Sequence, residues 1–379
     1  MKRFTALFTM TMMLMFASLL LAGCGESRDE TVNTGEMTET DETSETSQTN
    51  EMTEITETVM PNEQIPLRVI ATIFPQYDFI RQIAGDRVEL SMLLSPGAES
   101  HGFEPTPRDI IALNEADLFI YVGGHGDDWV HPILASIGRE DMRTVALLDL
   151  VDAVYQEIVE GMEVYHDHDD HDHDDDHEHD DHDHEDDDHD DHEHDDDHEY
   201  EHNEEYDEHV WTSPRNAILI VQALTEVLAE MDSDNADFYR ENAAAYIAEL
   251  RELDAAFAEV VAQGLRSTII FGDRFPFRYL TDAYGLTYYA AFSGCSADTQ
   301  ASPTTIAFLI TKMQEENIPV VFHIEFSNKL IANTIAEATG AQLVELHSTH
   351  NVSHADFNAG VTYLDLMWRN VENLREGLN

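Results

Sequence analysis

From His166 to His209 the chain uses only His, Asp, Glu, Asn and Tyr. Imidazoles recur at short intervals, at His166, His168, His171, His173, His177, His179, His182, His184, His189, His192, His194, His198 and His202. An imidazole nitrogen beside carboxylate oxygens is the donor set that zinc and other borderline divalent metals prefer. An inert acidic spacer would need the charge but not the histidines. A run without apolar side chains cannot bury enough surface to fold. Residues 166–208 are therefore expected to form a disordered accessory loop that gathers metal.

Two further histidines stand beside residues that can hold them still. His101 lies in Ser95-Pro96-Gly97-Ala98-Glu99-Ser100-His101-Gly102-Phe103-Glu104-Pro105-Thr106-Pro107, a loop stiffened by its prolines. His209 precedes Val210 and Trp211, where packed structure resumes. His125 and His131, flanking Asp127-Asp128-Trp129, read as surface histidines, and His323 as a packed core one. Cys295, in Ser293-Gly294-Cys295-Ser296, invites a nucleophilic reading, but no histidine partner can be assigned to it from sequence. No general base is placed beside His101 and His209, so the chain is not expected to be an enzyme.

The elements that must position these groups follow from hydrophobic patterning. Leu67 to Ile73 is a near-continuous apolar run of the kind that buried parallel strands show. A helix over Gln76–Ala84, a strand over Val88–Leu94, a helix over Pro107–Ala116, a strand over Leu118–Val122, a helix over Asp128–Ile137 and a strand over Thr144–Leu148 follow. Beyond the histidine tract, Ser213 and Pro214 open a helix to about Glu230. A second, from Asp234 or Asn235 to Gly264, would be roughly 40 Å long at ~1.5 Å per residue. Strands at Thr268–Phe271, Leu286–Ala291, Val320–Ile324 and Leu343–Leu346 then alternate with helices at Phe277–Ala283, Thr304–Glu316, Lys329–Ala338 and Asp356–Leu378. The expected class is α/β: two lobes, each a mostly parallel sheet with flanking helices, joined by a long rigid linker helix. Ligands of such sheets gather at the carboxyl edge of the strands.

The formal net charge is -59, and residues 166–208 alone carry 27 acids with no Lys or Arg. Residues 26–66 add 12 acids against one Arg. The remainder is still acidic, which argues against nucleic acid as a partner and suits the handling of cations. At the start, Lys2 and Arg3 precede an apolar Leu7–Leu21, too short for a permanent span, and then Leu21-Ala22-Gly23-Cys24. The expected organisation is a signal peptide over 1–23 and an acidic, disordered tether over 24–66. An N-terminal lobe over 67–165, the loop over 166–208 and the end of that lobe over 209–233 follow. The linker helix over 234–264 and a C-terminal lobe over 265–379 complete it.

Taken in order, the Leu-Ala-Gly-Cys segment, the His101 loop, the His/Asp tract, His209-Val210-Trp211-Thr212-Ser213-Pro214 and the linker helix resemble the zinc-binding lipoproteins of bacterial ABC importers. That solute-binding family also includes manganese-binding adhesins. The resemblance spans roughly Leu67 to Asn379. It implies a lipidated Cys24, a lipid-anchored position outside the cytoplasm at the bacterial cell membrane, an ABC permease as partner, and a monomer. It implies Zn²⁺ as cargo, with Mn²⁺ or metal-dependent adhesion as the alternative. It implies a metal between the lobes, held by two histidines matching His101 and His209 and by two donors from the C-terminal lobe. Here the chain departs from the pattern: counting back from Tyr284-Gly285-Leu286 puts Arg274 where a histidine is expected, and Arg cannot ligate a metal. Three alternatives stay open: Asp273 substitutes, the donor comes from elsewhere, or the site keeps a water. His347 best matches the fourth position, with His350 in reserve, and Glu325 matches an acid that orients a ligand.

Overall fold

Buried apolar runs decide where the strands lie. The computed structural model describes residues 65–99, 103–162, 205–296 and 300–379. Strands β1 (Leu67–Ala71), β2 (Val88–Met92), β3 (Leu118–Tyr121) and β4 (Arg143–Ala146) form one parallel sheet in the order β2-β1-β3-β4. Helices α1 (Phe74–Ala84), α2 (Pro107–Glu115) and α3 (Val130–Ile137) make its crossovers. Pro75 and Pro107 sit in the first turns of α1 and α2, where a missing N–H costs nothing. The chain then continues into α4 (Pro214–Met231) and α5 (Ala236–Gln263).

A second parallel sheet, β6-β5-β7-β8, is built from β5 (Thr268–Phe275), β6 (Thr287–Ser293), β7 (Val320–His323) and β8 (Gln342–Glu345). It carries α6 (Arg278–Tyr284), α7 (Pro303–Glu316), α8 (Leu330–Thr339), α9 (His354–Ala359) and α10 (Tyr363–Leu378). The two α/β lobes match the expected class. Helix α5, with 28 residues, packs on α1 and α4 of the first lobe and on α6 and α10 of the second. Its Tyr246, Leu250, Leu253 and Phe257 belong to one apolar core that also takes in Val69 of β1 and Ile269 of β5.

Three local expectations are corrected. The helix predicted over Asp356–Leu378 is two helices, because Gly360 takes a left-handed φ of 75° and Thr362 starts α10 afresh by exchanging hydrogen bonds with Asp365. Strand β5 runs past Phe271 to Phe275, with a register shift between Phe271 and Arg274. Gly272 sits in that shift, and a Cβ there would lie 2.4 Å from the Ala332 Cα, so the bulge needs glycine. Glu205–Glu208, expected to end the acidic loop, are already part of the fold. The Asp207 N–H donates to Val154 O at 2.8 Å, the Gln156 N–H donates to Glu205 O at 2.8 Å, and Tyr155 stacks on Tyr206.

Cys24 with the leader and tether around it, His101, and the tract histidines from His166 to His202 lie outside the described residues. Among the described residues no helix is long and apolar enough to cross a membrane.

Candidate metal centre

The carboxyl edges of the two sheets meet along a seam, and the segment after β8 is its centre. The Phe74 N–H donates to His350 O, and the Gly97 N–H to Val352 O at 2.7 Å. The Asn351 amide donates to Ser95 O and Ala98 O at 2.8 and 2.9 Å, inside the loop that leads to His101. From the other side the Trp211 indole N–H donates to Ser348 O at 2.9 Å, and the Tyr363 hydroxyl donates to Trp211 O. Residues 347–352 are therefore held by the N-terminal lobe as much as by their own.

His209 enters this seam at the start of a 3₁₀ turn, Val210–Thr212. It is 1% exposed. Its Nδ1 lies 3.1 Å from Asp207 Oδ1, and its backbone N–H donates to the same oxygen at 2.9 Å. A carboxylate only accepts, so Nδ1 carries the proton and Nε2 is the nitrogen whose lone pair can meet a metal. Burial pushes the imidazole pKa down, but the Asp207 charge and hydrogen bond, with help from Cys295, hold it well above the ordinary histidine value. A cation that binds here displaces a proton.

The ring facing His209 is His350, at 5.6 Å between centroids, and His350 also packs edge-on against Trp211 at 5.0 Å. His209, His350 and Cys295 line one cavity of about 310 Å³, together with Glu208, Asp127, His125 and Trp129. Cys295 follows β6, and its thiol is hydrogen-bonded to the His209 imidazole. Burial pushes that thiol up, with His209 pulling the other way, so without a cation it is a thiol rather than a nucleophile. The histidine partner that the sequence could not assign to Cys295 is His209.

Two acids, Asp127 and Glu208, stand in walls that are otherwise largely apolar. Burial pushes Asp127 up to about 6, against hydrogen bonds from the Gly123 and Val122 N–H groups and with the Asp128 charge adding to it. Glu208 is also raised, by burial first, and accepts from the Gly126 N–H at 2.7 Å. His125 is exposed and paired with Asp128, and His131 is exposed.

His347 is placed differently. It is 8% exposed, and its Nδ1 accepts from the Thr349 N–H at 2.9 Å. That puts the proton of the neutral ring on Nε2, which then has no lone pair to offer. The backbone of His347 is clamped by Asn370, which accepts from its N–H at 2.8 Å and donates to its carbonyl at 2.7 Å. Thr349 takes φ 59°, a left-handed conformation that is unfavourable for a β-branched residue. The His347–Thr349 bond holds this turn, and the turn carries His350. Glu325 accepts from both the N–H and the hydroxyl of Ser348, bracing the same turn from the end of β7. The structure thus brings His350, the reserve residue, to His209, and gives His347 to the loop that supports it.

Asp273 and Arg274 line a separate cavity of about 160 Å³ with Glu99 and Glu325. Asp273 Oδ1 accepts from the Arg274 N–H, and Arg274 pairs with Glu99 at 3.0 Å across the seam. Asp273 is not brought beside His209. His323 is buried with Nδ1 at 2.8 Å from Ile324 O, as expected of a core residue. Among the described residues no three His, Cys, Asp or Glu side chains are arranged to hold a metal ion.

Residues 69–377 match the family model described as zinc-uptake complex component A, periplasmic (ZnuA). The chain belongs to this family. The ZnuA match runs from Val69 in β1 to Gly377 near the end of α10, so both faces of the seam lie within it. The chain is 30% identical over 312 residues to the high-affinity zinc uptake system protein ZnuA of Bacillus subtilis (strain 168), covering 82% of this chain and 88% of that protein. It is 28% identical over 311 residues to the zinc-binding lipoprotein AdcA of Streptococcus pneumoniae (strain ATCC BAA-255 / R6), covering 82% of this chain and 55% of that protein. The chain thus spans about half the length of AdcA. Among solved structures it is similar to the metal-dependent lipoprotein YcdH from Bacillus subtilis, with a TM-score of 0.64 and 26% identity over 83% of this chain and 100% of that one. The Zn(II)-bound ZnuA-like domain of Streptococcus pneumoniae AdcA shares the fold, at a TM-score of 0.62 and 24% identity over 83% of this chain and 99% of that one.

Proposed function

We propose that this chain captures Zn²⁺ outside the cytoplasm and delivers it to the permease of an ABC importer. The observation that carries the reading is the His209–His350 pair. One imidazole comes from each lobe, they share a cavity that Asp127 and Glu208 also line, and Asp207 orients the first. His101 would add a third nitrogen from the loop whose Ser95 and Ala98 carbonyls are tied to Asn351. His347 and Glu325 would set the turn that carries His350. The similarity to proteins named for zinc binding and zinc uptake supports the same cargo. The chain acts in this reading as a monomeric carrier and not as an enzyme. Cys24, lipidated, would hold it at the membrane, and the histidines from His166 to His202 would raise the local zinc concentration beside the cleft.

Metal analysis of full-length protein purified without added metal tests the reading, repeated after deletion of residues 166–202. The expected result is zinc in both, with one tight site kept and the stoichiometry lowered by the deletion. If the tight site left with the tract, the cleft would not be the capture site.

A further inference from the structure

The C-terminal face offers few donors that could join His209 and His350. At the end of β5, Arg274 carries no lone pair and is paired with Glu99, while Asp273 faces a different cavity. Glu325 already accepts from the Ser348 N–H and hydroxyl, and His347 accepts with Nδ1 from Thr349. The neighbouring strand does better. β6 pairs with β5 so that Arg274 lies opposite Phe292 and Phe275 opposite Ser293, and Cys295 follows two residues beyond. Gly294 lets this strand end approach the imidazole: a Cβ there would lie 2.8 Å from Phe275 O and 3.2 Å from the His209 ring. Cys295 is thereby laid beside His209, in the cavity that His350 also lines.

We propose that Cys295 is a ligand of the captured zinc, binding as a thiolate beside His209. The inference rests on the zinc-capture reading above. On binding, the S–H bond breaks, the sulfur keeps the electron pair and donates it to zinc, and the proton leaves to solvent. Structural and catalytic zinc sites both accept mixed His and Cys donors. A thiolate also decides selectivity, because soft sulfur favours zinc while manganese prefers oxygen. The thiol thus makes this a zinc site rather than a manganese site.

The test is cobalt substitution of the full chain in a Cys24→Ser background, which leaves Cys295 as its only thiol. Less than one equivalent of Co²⁺ fills the tightest site first. The expected spectrum has a near-ultraviolet thiolate-to-cobalt charge-transfer band, lost in Cys295→Ser. Zinc should displace the cobalt and slow alkylation of the thiol at least tenfold. Cys295→Ser should weaken zinc by more than the roughly 10–100-fold that loss of an outer hydrogen-bond partner costs, and leave manganese affinity nearly unchanged. Tight cobalt and zinc binding with no thiolate band would overturn the ligand assignment and leave zinc capture standing. Absence of any tight site would overturn both. A serine variant with full zinc affinity would reduce Cys295 to a hydrogen-bond partner of His209.

Discussion

The two faces of the cleft hold their imidazoles by different means. On the N-terminal face, His209 is fixed by one carboxylate that takes both its ring N–H and its backbone N–H. On the C-terminal face, His350 is set by its backbone: a left-handed Thr349, a His347 ring that caps it, Glu325 braced on Ser348, and carbonyls tied across the seam. The first arrangement tunes the basicity and tautomer of a donor. The second fixes where a donor stands. Damage to the first should therefore change affinity with little change in stability, and damage to the second should change both.

The largest expected effect comes from removing the proposed donors themselves. His209→Ala and His350→Ala should each weaken zinc by more than about 100-fold, exceeding the roughly 10–100-fold that outer partners contribute. Competition with a chelating indicator measures this. His347→Ala should instead lower stability by about 1–3 kcal/mol, through the buried N–H left on Thr349, with less than a tenfold change in affinity. Should His347→Ala abolish binding and His350→Ala spare it, the assignment on that face is reversed.

Next comes Asp207→Asn, which keeps the size but removes the charge that orients His209. Zinc affinity should fall roughly 10–100-fold. Urea unfolding should detect a smaller change than in His347→Ala, and the opposite ranking would erase the contrast between the faces.

A pH effect is expected at the cavity wall. Asp127 titrates at about 6 in the fold against an ordinary 3.8. Between those values the folded chain holds a proton that the unfolded chain has lost, so stability is full at lower pH and declines as pH rises through about 6. The decline is on the order of 3 kcal/mol at most. Asp127→Asn should flatten that slope in unfolding curves taken across the window, and an unchanged slope would remove Asp127 as its source.

The smallest effect belongs to Arg274. Its partner Glu99 is half exposed, with 52% of the side chain accessible, so the pair is solvent-screened. Arg274→Ala should alter stability by no more than about 1 kcal/mol and zinc affinity by less than threefold. A large loss of affinity would return the end of β5 to the site.

Much of the fold was legible in the chain. Val69, Ile70 and Ala71, or Val320, Val321 and Phe322, are apolar without alternation because both faces of their strands are covered, and such runs mark parallel sheets by themselves. Asn235 and Gly264 bound the helix that joins the lobes, close to where the pattern puts them. His209 was legible too, because Val210 and Trp211 announce a core beside it. The break at Gly360 was harder to see, since apolar spacing continues on both sides and only the Thr362–Asp365 cap signals a new start. Cys295 carried one signal, its position just after a strand on the ligand-binding edge, but nothing in sequence says which histidine faces it.

Sequence alone therefore determined the chemistry available: imidazoles in quantity, an acidic surround, an arginine where no donor can stand, and one cysteine in the folded half. The tertiary structure decided which of these meet. Whether His347 or His350 faces His209 turns on one left-handed residue, Thr349, and on hydrogen bonds donated by the Phe74 N–H and the Trp211 indole, residues far away in the chain. Within this irregular turn, one imidazole meets His209 and the other meets the Thr349 N–H. No local pattern encodes that choice, because part of what holds the turn belongs to the other lobe.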